Sequence, residues 1–256
     1  MLNPVFPIYF IARLLSNIFF NSKLETRNSK LETRNSKLET RNSKPRTRNL
    51  SVNHFARFLS IIFHPVFMVT YAAVIYFFLL PSAFIYQDPS TPWRILAMLL
   101  TSTVFIPITM LLFLTKLGTI KSMRIEDQKE RNWPLLLTAL VYFTSFYILQ
   151  GNRIPVFIKL FLLGATLGIL LSLLINLRWK ISLHMIGVGG LCGGIVVAIL
   201  LSGGGSVMLL VSLFFISGLL GTARLYLNAH SPAQILAGFL AGFAIEFGLM
   251  MLLLAF

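Results

Sequence analysis

Charged residues are the first shortage in this chain. They make up 12% of its 256 residues, against 56% hydrophobic, whereas a soluble domain carries about a quarter charged residues. That scarcity excludes an ordinary water-soluble domain. Acidic residues are scarcer still, with eight Asp or Glu against 22 Lys or Arg and a net charge of +14. In a chain this apolar, the basic excess points to loops that set orientation and meet anionic lipid headgroups, and not to nucleic acid. Cysteine is nearly absent. Cys192 stands alone, so no intrachain disulfide can form. No cluster of carboxylates and no Cys/His spacing suggests a metal site, and no cofactor is expected. What the chain has in abundance is apolar bulk, including 23 Phe, which suits lipid-facing and helix-packing surfaces.

The first fifty residues stand apart. Residues 21–41 repeat the heptad Asn-Ser-Lys-Leu-Glu-Thr-Arg three times, and a degenerate copy follows. A coiled coil needs two apolar positions per heptad. This unit offers one, at Leu24, Leu31 and Leu38. Residues 1–50 therefore read as a low-complexity extension, disordered or upstream of the native start. Residues 51–256 read as one membrane-embedded domain.

Within that domain, apolar runs fall at about 58–80, 94–115, 134–150, 156–177, 182–202, 206–224 and 233–255. Each is long enough, or nearly so, to cross a hydrocarbon core of about 30 Å. The expected fold is an all-α integral membrane bundle of about six to seven transmembrane helices. Gly189 with Gly193 and Gly190 with Gly194 are small-residue pairs four apart that let another helix approach closely. His64-Pro65 falls inside the first span and is expected to kink it, with His64 facing the bundle. Counting crossings places loops 118–133, 178–181 and 225–232 on the side of residue 50. That side holds most of the Lys and Arg, which makes it cytoplasmic by the positive-inside rule.

Three polar clusters fall on that one side. The first runs from Lys121 through Arg124 and Arg131 to Pro134. The second is Lys180-Ile-Ser182-Leu-His184. The third runs from Arg224 through His230 to Gln234. Two spans separate each cluster from the next, so an even number of crossings lets all three meet at one membrane face. His230 and Gln234 lie one helical turn apart and can touch. Arginines grip phosphate through planar, bidentate hydrogen bonds, and two histidines can divide the work of nucleophile and general acid. Glu246, twelve residues beyond Gln234, lies about 18 Å further along a helix. That is too deep to join these clusters, and it is expected to pair with a polar group on another helix or to stay protonated.

These residues resemble the three motifs of the type 2 phosphatidic acid phosphatase (lipid phosphatase/haloperoxidase) superfamily: Lys-x6-Arg-Pro, Pro-Ser-Gly-His and Ser-Arg-x5-His-x3-Asp. Arg124-x6-Arg131 has the first spacing, with Arg for Lys and Pro134 two residues late. Ile181-Ser182-Leu183-His184 keeps Ser and His of the second. Ala223-Arg224-x5-His230-x3-Gln234 keeps Arg and His of the third, with Gln for Asp. The resemblance covers roughly residues 58–256. It implies that His230 attacks phosphorus to form a phosphohistidine, that His184 protonates the leaving alcohol, and that Gln234 holds His230. It further implies that Arg124, Arg131, Ser182 and Arg224 bind the phosphoryl oxygens.

The function this suggests is a phosphatase for a lipid phosphomonoester or diphosphate, with membrane lipid as its partner, in a bacterial plasma membrane. Family members generally work on the extracytoplasmic face, so the face of the site stays open. Two other classes stand beside it. A catalytically impaired lipid-phosphate-binding protein is suggested by Gln234 and Leu183. A small-molecule transporter is suggested by Glu246 and His64 within spans, although the polar residues gather at one face and not at the midplane.

Overall fold

The computed structural model describes residues 50–80, 89–120, 129–150, 154–201 and 207–254. The heptad repeats and Arg124 lie outside those residues. Among the described residues there is no strand, and seven helices are long and apolar enough to cross a membrane. They are α1 (Leu50–Leu79), α2 (Thr91–Lys116), α3 (Asn132–Leu149), α4 (Val156–Asn176), α5 (Leu183–Leu201), α6 (Val207–Tyr226) and α7 (Pro232–Leu254). The chain is an all-α integral membrane protein. Its helix ends fall within a few residues of the apolar runs, with one exception: α1 starts eight residues before the expected position. The early turns are two-faced. Phe55, Phe58 and Ile61 are exposed on one side, while Ala56 and Ser60 are buried on the other. A run of hydropathy alone averages those two faces away.

Helix α1 is interrupted where the sequence predicts a kink. His64 is extended (φ −68°, ψ 140°) and a short 3-10 turn, Pro65–Phe67, follows, as the residue before a proline prefers. Pro65 cannot donate, and the backbone groups released by the break find other partners. The Val66 N–H reaches His64 Nδ1 at 3.5 Å, and the Ile62 carbonyl accepts the Tyr71 hydroxyl at 2.8 Å. Helix α2 contains a wide π-helical turn at Leu100–Phe105. There the Thr103 carbonyl accepts the Tyr142 hydroxyl of α3 at 3.2 Å.

Helices α5 and α7 share the most extensive contact in the bundle, and glycine makes it possible. A Cβ on Gly189 or Gly193 would strike the backbone carbonyl of Phe239 or Phe243, and a Cβ on Gly242 would strike that of Ile186. One on Gly238 would lie 2.8 Å from the Ser182 carbonyl oxygen. The two backbones thus lie against each other, as small-xxx-small pairs allow. Of the four glycines singled out in the sequence, Gly189 and Gly193 face α7. Gly190 faces the Glu246 side chain and Gly194 the Phe161 ring of α4.

Candidate functional site

The loop between α6 and α7 shows how local sequence places a functional side chain. Helix α6 ends in a Schellman turn. The Ala229 N–H bonds the Arg224 carbonyl (3.1 Å) and the Asn228 N–H bonds that of Leu225 (2.9 Å). Asn228 sits at φ 51°, a left-handed conformation that asparagine tolerates. Helix α7 then opens with a capping box. Ser231 Oγ accepts the Gln234 N–H at 3.4 Å, and Gln234 Oε1 accepts the Ser231 N–H at 3.1 Å. His230 is pinned between these two devices and is buried.

That capping bond also fixes the histidine's tautomer. A backbone N–H can only donate, so the Gln234 atom facing Ser231 is the carbonyl oxygen. The same oxygen lies 3.2 Å from His230 Nδ1, so Nδ1 must carry the proton and Nε2 keeps a bare lone pair. Burial, followed by the nearby Arg224 charge, pushes the imidazole down to about 4; Gln234 pulls the other way, and Arg131 and Lys180 add smaller downward pushes. At neutral pH the ring is uncharged and able to act as a nucleophile.

A second anchor comes from Ser60, which the sequence did not single out. Its carbonyl accepts from His184 Nε2 at 3.0 Å. Its hydroxyl donates to the Ala56 carbonyl at 2.9 Å and accepts from Arg224 Nη1 at 3.4 Å. One serine on α1 therefore ties α5 to α6. Because a carbonyl only accepts, His184 Nε2 is protonated and Nδ1 is left for other chemistry. His64 stands edge-on to His184, with ring centroids 5.3 Å apart. The proline kink that turned it inward was foreseen; its place beside His184 was not. Asn176 donates to Asn132 Oδ1 at 2.9 Å, tying α4 to the first turn of α3 next to Arg131.

Two cavities meet at this cluster. A polar vestibule of about 570 Å³ is lined by Arg57, Lys180 and Asn228 among others, and an inner chamber of about 210 Å³ runs into the bundle. His64, Arg131, His184 and Arg224 line both, so they form the neck between them. His230 lines the chamber. Four cationic side chains face the vestibule, and among the described residues no carboxylate lines it. Such a one-signed cleft concentrates anions.

The structure thus brings Arg131, His184, Arg224 and His230 together, with Gln234 touching His230 from behind. Ser182 lies apart from them. It is fully buried, lines neither cavity, and its Oγ has no hydrogen-bond partner among the described residues. The close approach of Gly238 to its carbonyl explains this: α7 covers the start of α5 and shuts Ser182 off from the cluster. Arg124 falls outside the described residues. Glu246 is the other surprise. It is as deep as helix spacing demands, yet it lines the same chamber as His184, Arg224 and His230. It also takes no partner on another helix, for Oε2 is buried without one among the described residues.

Fold and site together define an integral membrane helical bundle with a cationic, histidine-lined cavity at one end. In comparison with known proteins, the chain matches no family model, no curated protein and no solved structure.

Proposed function

We propose that this protein is a lipid phosphate phosphatase of a bacterial plasma membrane, working through a phosphohistidine on His230. The observation that carries the reading is the bare Nε2 of a neutral His230 in a cavity lined by Arg131 and Arg224. The motif resemblance to type 2 phosphatidic acid phosphatases supports it from the sequence side. Phosphoryl transfer mainly requires positioning and charge stabilisation, and the guanidinium groups supply both.

In the first step the Nε2 lone pair forms a bond to phosphorus, and the bond from phosphorus to the lipid oxygen breaks. The leaving oxygen takes a proton from His184 Nδ1, which that nitrogen has received from the entering phosphate monoanion while the Nε2–H stays on the Ser60 carbonyl. In the second step His184 Nδ1 takes a proton from water, and the water oxygen attacks phosphorus. The N–P bond breaks with its electron pair returning to His230, and inorganic phosphate leaves. Ser60 acts as a positioning residue by holding the His184 ring.

A second reading is favoured by Gln234, which is uncharged and committed to the helix cap. It is a protein that binds lipid phosphate without turning it over. Purified protein incubated with a lipid monophosphate separates the two. Phosphate release and an acid-labile phosphohistidine, both lost by at least about 10³-fold in His230→Ala, establish catalysis. Binding without release in the wild type establishes the second reading. Undiminished turnover in His230→Ala removes the proposed nucleophile.

A further inference from the structure

Below the neck, the chamber wall becomes apolar, with Met68, Val69, Leu111, Leu135, Phe161 and Ile169 lining it. A chamber of this character accepts a hydrocarbon chain. Its floor is different. Glu246 of α7 is 3% exposed and has no hydrogen-bond partner for its Oε2 among the described residues.

The seat around this carboxyl is built for it. A Cβ on Gly164 of α4 would collide with the Glu246 carboxyl group, and one on Gly190 of α5 would lie 3.0 Å from its Cγ. Gly164, Gly190 and Gly242 line the chamber beside it. Helices on two sides thus omit a side chain where Glu246 sits. A buried polar group without a partner is costly, and an ionisable residue at membrane depth marks function. A lone carboxyl among apolar walls avoids the larger cost of an unpaired charge as the neutral acid, which both donates and accepts a hydrogen bond.

We propose that the cavity is one continuous lipid site: phosphate at the neck, the alkyl chain in the chamber, and Glu246 hydrogen-bonded to a hydroxyl carried far along that chain. The inference rests on the phosphate reading and narrows its substrate class to phosphate esters of hydroxylated lipid chains. His184 at the neck and Gly190 beside Glu246 are six residues apart on α5, roughly 9 Å, so the hydroxyl must stand several carbons from the phosphate. A hydroxyl satisfies the acid in both directions, accepting its O–H and donating to its carbonyl oxygen. The Gly164 and Gly190 walls hold the carboxyl at a fixed depth and so make the site selective for chain length.

The test measures dissociation constants for hexyl, octyl and decyl phosphates and for their terminally hydroxylated counterparts, with the full chain in lipid nanodiscs. The wild type is expected to favour one hydroxylated ligand over its plain partner by about tenfold, the worth of one buried hydrogen bond. Glu246→Leu should bring that ratio to near unity, and Glu246→Gln should keep most of it. Gly164→Ala retains the carboxyl but pushes it from its seat, and should also lower the ratio. This variant guards against misfolding of Glu246→Leu. Equal binding of plain and hydroxylated ligands by the wild type overturns the role of Glu246 and leaves the phosphate reading standing. So does a preference that survives in both Glu246→Leu and Gly164→Ala. Failure of the wild type to bind any alkyl phosphate defeats the phosphate reading, and this inference with it.

Discussion

The two ends of the cavity are built on opposite plans. At the neck and just inside it each imidazole is fixed by a hydrogen bond: His184 by the Ser60 carbonyl, His230 by Gln234, and His64 by the Val66 N–H. At the floor Glu246 lies among glycines with its Oε2 unpartnered among the described residues. The neck is organised before anything binds, as a site for chemistry must be, because reacting groups work only in a set orientation. The floor is shaped but unsatisfied, as a recognition contact is before its ligand arrives. On the proposed reading the difference separates residues that act from residues that select, and it can be broken from either end.

The largest effect beyond the loss of His230 itself should come from Arg224. It lines both cavities and bonds Ser60. Arg224→Ala removes charge from the neck and releases Ser60 from α6, and should lower kcat/KM for a lipid monophosphate by about 10²-fold or more. Arg224→Lys should recover only part of this, since an ammonium cannot make the planar two-point contact. Full activity in the lysine variant would mean that the neck needs charge and not geometry.

A smaller effect, opposite in direction, is expected at Gln234. Gln234→Glu keeps the side-chain length, so an oxygen still meets both Ser231 N–H and His230 Nδ1. It adds a negative charge that favours the imidazolium. The His230 value should rise from about 4, and the acid limb of kcat/KM should move to higher pH with it. Below that limb the nucleophile is protonated and the rate falls; above it the ring is neutral and more basic than in the wild type. A rate gain of about tenfold at pH 7 is expected from the better oriented and more basic nitrogen. Gln234→Asp, which matches the superfamily motif, shortens the reach by one methylene and should gain less. If it gains more, the reach across the helix cap is not what holds His230.

The smallest change in chemistry should accompany a large change in packing. Gly242→Ala places a methyl group against the Ile186 carbonyl and should cost about 1–3 kcal/mol of stability, read as a lower melting temperature. The pH dependence of turnover should keep its shape, because no group at the neck changes. A shifted acid limb in this variant would show that the glycine contact also sets the histidine environment.

Much of this plan can be read from the sequence. Length and hydropathy give the seven spans, because the bilayer fixes how long an apolar helix must be. The even number of crossings between clusters brings Arg131, His184, Arg224 and His230 to one end, and the glycines on α5 announce a close neighbour. Depth is readable because each residue advances a helix by a fixed rise. Rotation and tilt are much less so, and the misses follow from that. Ser60 looks like an ordinary serine in an amphipathic turn until α5 and α6 are placed against it. Ser182 belongs to a motif-like string but is turned under α7. Glu246 has the depth predicted for it, yet only the packing of α4, α5 and α7 shows that it shares a chamber with His184, less than two helical turns above.

The glycine contact between α5 and α7 has a consequence for traffic. Those two helices carry His184, Gln234 and Glu246, and their backbones touch at several levels. They form one closely packed plate with no room for a side chain between the two backbones. A ligand that lives in the bilayer needs a doorway, and a doorway needs a wall that yields. The opposite wall contains Pro107 and Leu111 from α2, and Leu135 and Thr138 from α3; α2 also carries the wide turn at Leu100–Phe105. On the lipid phosphate reading, the ligand would enter from the side, through the α2 and α3 wall, and the glycine-packed plate would serve as the fixed jamb against which that door swings.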